Sequence, residues 1–234
     1  MGAGKDAQTM GKSAPITIIE VMGRDAGWIA ASSALGKNNY HDPPHIVCVP
    51  EHITDHGNFI NQLENAHRKF GYAVAVVAEN SRNADGIIGS NEKALYEDQF
   101  GHKYFEGAGF HLSKLAESQL KVRVRYEKPG TIQRSMVSCI SSVDAVEAEM
   151  VGAKAVQYAV EGATEVMVSI KRDNLDSKYS SSTHLIPVEE VADQVKYLPD
   201  NYYDKQDLLP TEDFKSYAIP LIGTPLPKFA NLLK

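Results

Sequence analysis

Short β-branched and apolar runs alternate along this chain with stretches in helical spacing. ITIIEVM (16–22), HIVCVP (45–50), YAVAVVAE (72–79), KVRVRYE (121–127) and TEVMVSIKR (164–172) predict strands, and the segments near 25–35, 57–70, 107–119 and 144–161 predict helices. The first three strands and the fifth are almost continuously apolar, the pattern of strands covered on both faces in a parallel sheet. The expected fold class is therefore α/β, a three-layer α/β/α arrangement with a mainly parallel sheet. KVRVRYE departs from that pattern, because Lys121, Arg123 and Arg125 alternate with Val122, Val124 and Tyr126. Three cations on one face predict a half-exposed strand towards a sheet edge.

Residues 1–14 are small and polar without periodicity and predict a flexible lead-in, so the domain proper is expected over 15–234. The Asn-, Gly- and Asp-rich segment 80–106 and the Ser-rich 173–185 predict surface loops. A helix is expected at 187–198, followed by an irregular wrap that contains Pro199, Pro210, Pro220, Pro225 and Pro227. With 43% hydrophobic residues among 234, the chain can bury a substantial core. A net charge of −6 supplies no cation excess for a nucleic-acid backbone or an anionic membrane, so neither partner is expected and anionic ligands need local cationic clusters. Cys48 and Cys139 form no CxxC pair, which points to a reducing cytoplasm, and no apolar run reaches the length of a membrane span.

The strand ITIIEVM runs straight into Gly23, Arg24, Asp25, Ala26, Gly27 and Trp28, which open the pattern WIAASSAL. A strand, a tight glycine turn and a helix start with an adjacent arginine suit an oxygen-rich or phosphorylated ligand. The wording EVMGRDAGW also resembles the Met-Gly-Arg signature of phosphofructokinases. IVCVPE (46–51), VAVVAE (74–79), PGTIQR (129–134), DAVEAEMVGAKAVQYAVEG (144–162) and IPLIG (219–223) support it in order along the chain.

That resemblance implies a fructose 6-phosphate site formed by Met22, Gly23, Arg24, Glu79 and Arg134. Arg24 is then the catalytic cation, and Arg125 reaches the site of a neighbouring subunit in a homo-oligomer. It implies phosphoryl transfer to the sugar 1-hydroxyl, with magnesium carried by the donor and no metal held by this chain. Pro15 and Thr131 stand where ATP-dependent bacterial members carry arginine and histidine; PGTIQRS and DAGW are more similar to pyrophosphate-using members. The Gly-Gly-Asp and Thr-Ile-Asp motifs of the family's donor half, the second of which supplies the catalytic base, do not occur in these 234 residues. The resemblance thus implies the acceptor side of the enzyme, inactive alone, with pyrophosphate or ATP bound by the absent N-terminal half. The alternative is a non-catalytic sugar-phosphate-binding or assembly subunit.

Other signals carry less. GAGKD and GKSA suggest a nucleotide loop, but Asp6 replaces a required glycine and no strand precedes it. His52 and His56 follow a strand in a loop rather than sharing a helix face, and Pro43 and Pro44 keep His41 and His45 from helical spacing. Ser180 to Ser182 with His184 lack a nucleophile turn. Asp144 is accounted for by the favourable charge at a helix start.

Overall fold

The computed structural model describes residues 1–90, 96–97, 99, 103–104, 106–173 and 178–226. Its chain divides into two compact units, Met1–Ser135 with Tyr197–Phe214, and Met136–Lys196 with Lys215–Lys234, where a single domain over 15–234 was expected.

The first unit is built on a parallel sheet of β1 (Ile16–Val21), β2 (Ile46–Cys48), β3 (Ala73–Ala78) and β4 (Val124–Glu127), in the order β2-β3-β1-β4. Every residue of β2 and β3 is buried, as their unbroken apolar sequence requires. In β1, Ile16 and Ile18 are fully buried together with Thr17 and Glu20. The β2 edge is closed by returning chain: the Val47 N–H donates to the Leu208 carbonyl at 2.8 Å, and the Tyr203 hydroxyl donates to the Val47 carbonyl at 2.7 Å. Pairing both backbone groups of Val47 removes an exposed ladder.

Helices cover both faces. Helix α3 (His56–Phe70) starts where the Asp55 carboxylate accepts the Asn58 N–H at 2.7 Å, and ends at Gly71 with φ 78°. It buries Phe59, Ile60, Leu63 and Ala66, a stripe at helical spacing. Helix α4 (Ala108–Leu120) packs against β1, β4 and α3. On the opposite face lies α1 (Gly2–Met10), which corrects the flexible lead-in expected over 1–14. Ala7 is fully buried in a cluster with Tyr72 and Val74, packed on Ile19 and Phe70. Small side chains let this helix approach the sheet closely, so tertiary packing outweighs its poor local propensity.

Strand β4 sits at the sheet edge, as its alternation predicts. It begins only at Val124, however, because Lys121 takes a left-handed conformation, φ 56°, that ends α4. Lys121, Arg123 and Arg125 therefore do not form one exposed row. Arg125 lies opposite Thr17 on the α1 face and is ion-paired with Asp6 and Glu127.

In the second unit, α6 (Ser142–Val160) is capped by the Ser141 hydroxyl, which accepts from the N–H groups of Val143 and Asp144, both at 3.1 Å. Burial and the neighbouring Glu147 raise the pKa of the Asp144 carboxyl, opposing the favourable helix-start charge. Strand β5 (Val166–Arg172) pairs antiparallel with β6 (Ser181–Pro187), with Ile170 opposite Thr183. The fifth expected strand is thus a hairpin arm rather than a buried parallel strand, and part of the expected 173–185 loop is its partner. Residues 174–177 lie outside the described residues, as do parts of 80–106 and the expected wrap from Pro227. Within 80–106, described two-residue ladders join Arg82–Asn83 with Gly86–Ile87 and Tyr96–Glu97 with Lys103–Tyr104. No helix spans 187–198, where Pro187 ends β6 and leaves only a 3-10 turn over Val188–Glu190. A helix does form later, α7 (Glu212–Ile222), with Pro220 inside it.

Candidate functional site

The carboxyl ends of β1 and β3 converge on the turn at residues 22–27, the edge where parallel α/β sheets bind ligands. The Glu79 N–H donates to the Val21 carbonyl at 3.0 Å and continues the ladder one step beyond β3. This sets the Glu79 carboxylate under the turn, where its Oε1 accepts the N–H of Gly23 at 3.3 Å and of Arg24 at 2.9 Å. Among the described residues, no hydrogen bond engages its other oxygen.

The turn closes through the Ala26 N–H, which donates to the Gly23 carbonyl at 3.0 Å. Gly23 has φ 142° and a Cβ there would meet the Ala26 carbonyl oxygen at 2.8 Å, so glycine is required. Arg24 also adopts a left-handed φ of 46°, which holds its side chain exposed beside the turn. Asp25 is fixed by Arg82, 2.9 Å from Nη2 to Oδ1. A third strut comes from the segment after β4: the Met22 N–H donates to Gln133 Oε1 at 3.0 Å. Gln133 and Arg134 lie in the short helix α5 (Ile132–Ser135), with Arg134 exposed.

The sequence suggests that backbone N–H groups at this helix start receive an anion. The structure assigns those groups otherwise. Helix α2 (Trp28–Ser32) has only five residues, and the Gly27 N–H before it is held by both Glu51 oxygens at 2.9 and 3.1 Å. Glu51 Oε1 also accepts the Leu198 N–H at 2.7 Å. Two carboxylates thus occupy the N–H groups of Gly23, Arg24 and Gly27, and the guanidiniums of Arg24 and Arg134 stand exposed nearby in the same unit. The free oxygen of Glu79 can accept a hydrogen bond from a ligand hydroxyl.

Met22, Gly23, Arg24 and Glu79 are thus brought together; Arg134, exposed, is next in sequence to Gln133, which meets Met22. Arg125 is not brought to them: it pairs with Thr17, near the opposite end of β1 from the turn. Sequence reasoning missed Gln133, Glu51 and Glu20. Only Glu20 carries a clear signal, since an acid inside an apolar strand demands a buried partner. His52 stacks on Tyr203 with centroids 5.0 Å apart and His56 begins α3; among the described residues no group of three His, Cys, Asp or Glu could hold a metal. Among them, too, no helix is long and apolar enough to cross a membrane.

These features define an α/β protein with a tight, carboxylate-held turn at the carboxyl edge of its parallel sheet. The phosphofructokinase family model matches residues 5–159, and the chain belongs to that family. It is 36% identical over 214 residues to a pyrophosphate–fructose 6-phosphate 1-phosphotransferase of Rhodospirillum rubrum, covering 88% of this chain and 52% of that protein. A protein of the same name from Halomonas elongata is 33% identical over 220 residues, covering 94% of this chain and 52% of the relative. Among solved structures, a pyrophosphate-dependent phosphofructokinase from Marinobacter aquaeolei superposes with a TM-score of 0.80 at 27% identity, over 98% of this chain and 54% of that one. The chain spans about half the length of the curated relatives it matches.

Proposed function

We propose that this chain supplies the fructose 6-phosphate side of a phosphofructokinase active site, for transfer of a phosphoryl group to the sugar 1-hydroxyl. The observation that carries the reading is the Met22–Arg24 turn, tied by backbone N–H groups to Glu79 and Gln133. The Glu79 carboxylate accepts from sugar hydroxyls, and the Arg134 guanidinium pairs with the sugar phosphate. Arg24, exposed beside the turn, stabilises charge on the phosphoryl group in transit. Pyrophosphate is the favoured donor, supported by the names of the relatives and by the PGTIQRS and DAGW wording.

Donor, magnesium and general base belong to a second half that works with this one. No group of His, Cys, Asp and Glu among the described residues fits a metal ion, and in this reading this chain's own residues hold the sugar rather than magnesium. Cytoplasmic location and a homo-oligomer belong to the same reading. Arg125 serves a neighbouring subunit in it, on condition that it leaves its own Asp6. The chain alone is then inactive.

Calorimetry with fructose 6-phosphate tests the acceptor site. The intact chain should bind it, and Arg134→Ala and Glu79→Ala should each weaken binding at least about tenfold, the loss of one charge-assisted hydrogen bond. Equal affinity in all three proteins, or turnover with pyrophosphate by the purified chain alone, would overturn the respective half of the proposal.

A further inference from the structure

The carboxylate of Glu20 lies two residues before Met22, and its residue is only 1% exposed. A buried charge persists only where partners replace water. Glu20 Oε2 accepts the Gly109 N–H at 2.9 Å and the Tyr126 hydroxyl at 3.1 Å. Oε1 lies 2.7 Å from the ammonium of Lys128, an ion pair whose angles fall short of a hydrogen bond. Room for this is made by two glycines at the start of α4: a Cβ on Gly107 would sit 2.1 Å from both carboxylate oxygens, and one on Gly109 would sit 2.8 Å from the Glu20 Cβ.

The three partners come from different places. Gly109 belongs to α4 and Tyr126 to the edge strand, where its ring also meets Phe110 edge-on at 5.6 Å. Lys128 stands beyond that strand, just before Pro129, Gly130 and the helix that carries Gln133 and Arg134. Gly130 turns the chain with φ 58°. The segment 128–134 is therefore attached to β1 and its turn at two points, Lys128 on Glu20 and Gln133 on the Met22 N–H. Side chains from residues 131–134 are all exposed, so no packed core fixes this segment in their stead.

We infer that Glu20 is a positioning residue: its ion pair with Lys128 latches the 128–134 segment against the Met22–Arg24 turn and so sets the distance between Arg134 and Glu79. The inference rests on the fructose 6-phosphate reading for its ligand, but the latch itself exists without ligand. Glu20 touches no substrate in this arrangement; it acts through Lys128. Because Pro129 and Gly130 follow the latch directly, releasing Lys128 frees the segment at its base, leaving Gln133 as its side-chain tie to the turn among the described residues.

Three variants of the full chain separate the latch from the fold. Glu20→Gln keeps a carbonyl oxygen for Gly109 and Tyr126 but has no charge for Lys128; Lys128→Met removes the ammonium; Lys128→Arg keeps a cation. Two readouts are needed, amide hydrogen exchange of residues 130–135 without ligand and calorimetry with fructose 6-phosphate. Glu20→Gln and Lys128→Met should each accelerate exchange in 130–135 about tenfold while β1 and β3 stay protected. Both should also weaken sugar-phosphate binding about tenfold, and Lys128→Arg should restore both quantities to within about threefold of the parent. Unchanged exchange in Lys128→Met overturns the latch, even where the parent binds fructose 6-phosphate normally. Accelerated exchange with unchanged affinity overturns its control of the site. Failure of the parent to bind sinks the functional reading instead, and exchange still decides whether the latch holds the segment. Loss of protection throughout β1 and β3 in Glu20→Gln marks a folding role; the half-exposed Lys128 then decides alone.

Discussion

Lowering the pH from 7 to 5 should destabilise the first unit, where burial lowers the pKa of His45, His52 and His56, and the share of His45 can be isolated. Its ring is buried, stacked on Phe70 at 5.3 Å and edge-on to Tyr72 at 5.2 Å. Nδ1 accepts the Val74 N–H at 3.0 Å, so the neutral ring carries its proton on Nε2, and a second proton would have to displace that bond. Burial, then the charge of Lys37, lowers its pKa from 6.5 to about 4. The sign follows from proton binding. Above pH 6.5 neither state is protonated; below it the unfolded chain takes a proton that the native ring refuses, so stability falls with pH until about pH 4. At about 1.36 kcal/mol per unit, the loss reaches about 2 kcal/mol at pH 5. Trp28, the sole tryptophan, lies in the same unit and reports its urea unfolding by fluorescence. His45→Asn, whose amide oxygen can still accept from Val74, should lose less stability than the parent between pH 7 and 5, by about that 2 kcal/mol. Equal losses in both proteins would refute the assignment, whatever the variant's absolute stability.

Packing sets the outcome of three further substitutions. Gly107→Ala drives a methyl into the Glu20 carboxylate and should cost about 1–3 kcal/mol, whereas Gly152→Ala, with nothing within 4 Å of its Cβ and in the interior of α6, should stabilise by about 0.5–1 kcal/mol; thermal unfolding followed by circular dichroism compares them. Ala7→Asp buries a charge among Tyr72, Val74 and Ile19 and should cost about 2 kcal/mol or more in the Trp28 unfolding assay, while a neutral result would restore the flexible lead-in.

The parallel sheet and the turn at its edge were legible because β3 is an unbroken apolar run, β1 is apolar but for Thr17 and Glu20, and Gly23 follows β1 with one residue between. The edge position of KVRVRYE was also readable from its alternation. What escaped depends on contacts between distant segments. Helix α1 rests on Ala7 meeting Tyr72 and Val74, which no local pattern encodes. The β6 strand is a serine-rich sequence made a strand by pairing with β5. Helix α7 was obscured by Pro220, although the Thr211 hydroxyl accepts the Phe214 N–H at 3.4 Å as a start signal. In the site, Met22, Arg24 and Glu79 were found through wording that resembles a family. Gln133, adjacent to Arg134, was overlooked because nothing in the sequence says which of two neighbours turns towards Met22.

The closure of β2 by residues 203–208 gives the first unit a history. Its sheet partners and its Glu51 anchor exist long before Leu198 and Leu208 have been made, because the whole of 136–196 is translated in between. At about 5–20 residues per second, the nascent sheet waits on the order of ten seconds with the Val47 N–H and carbonyl unclaimed. An open strand edge on a polysome is an invitation to pair with the neighbouring nascent chain. Expression yield should therefore respond to translation speed and chaperone supply through this edge, even where purified stability does not change.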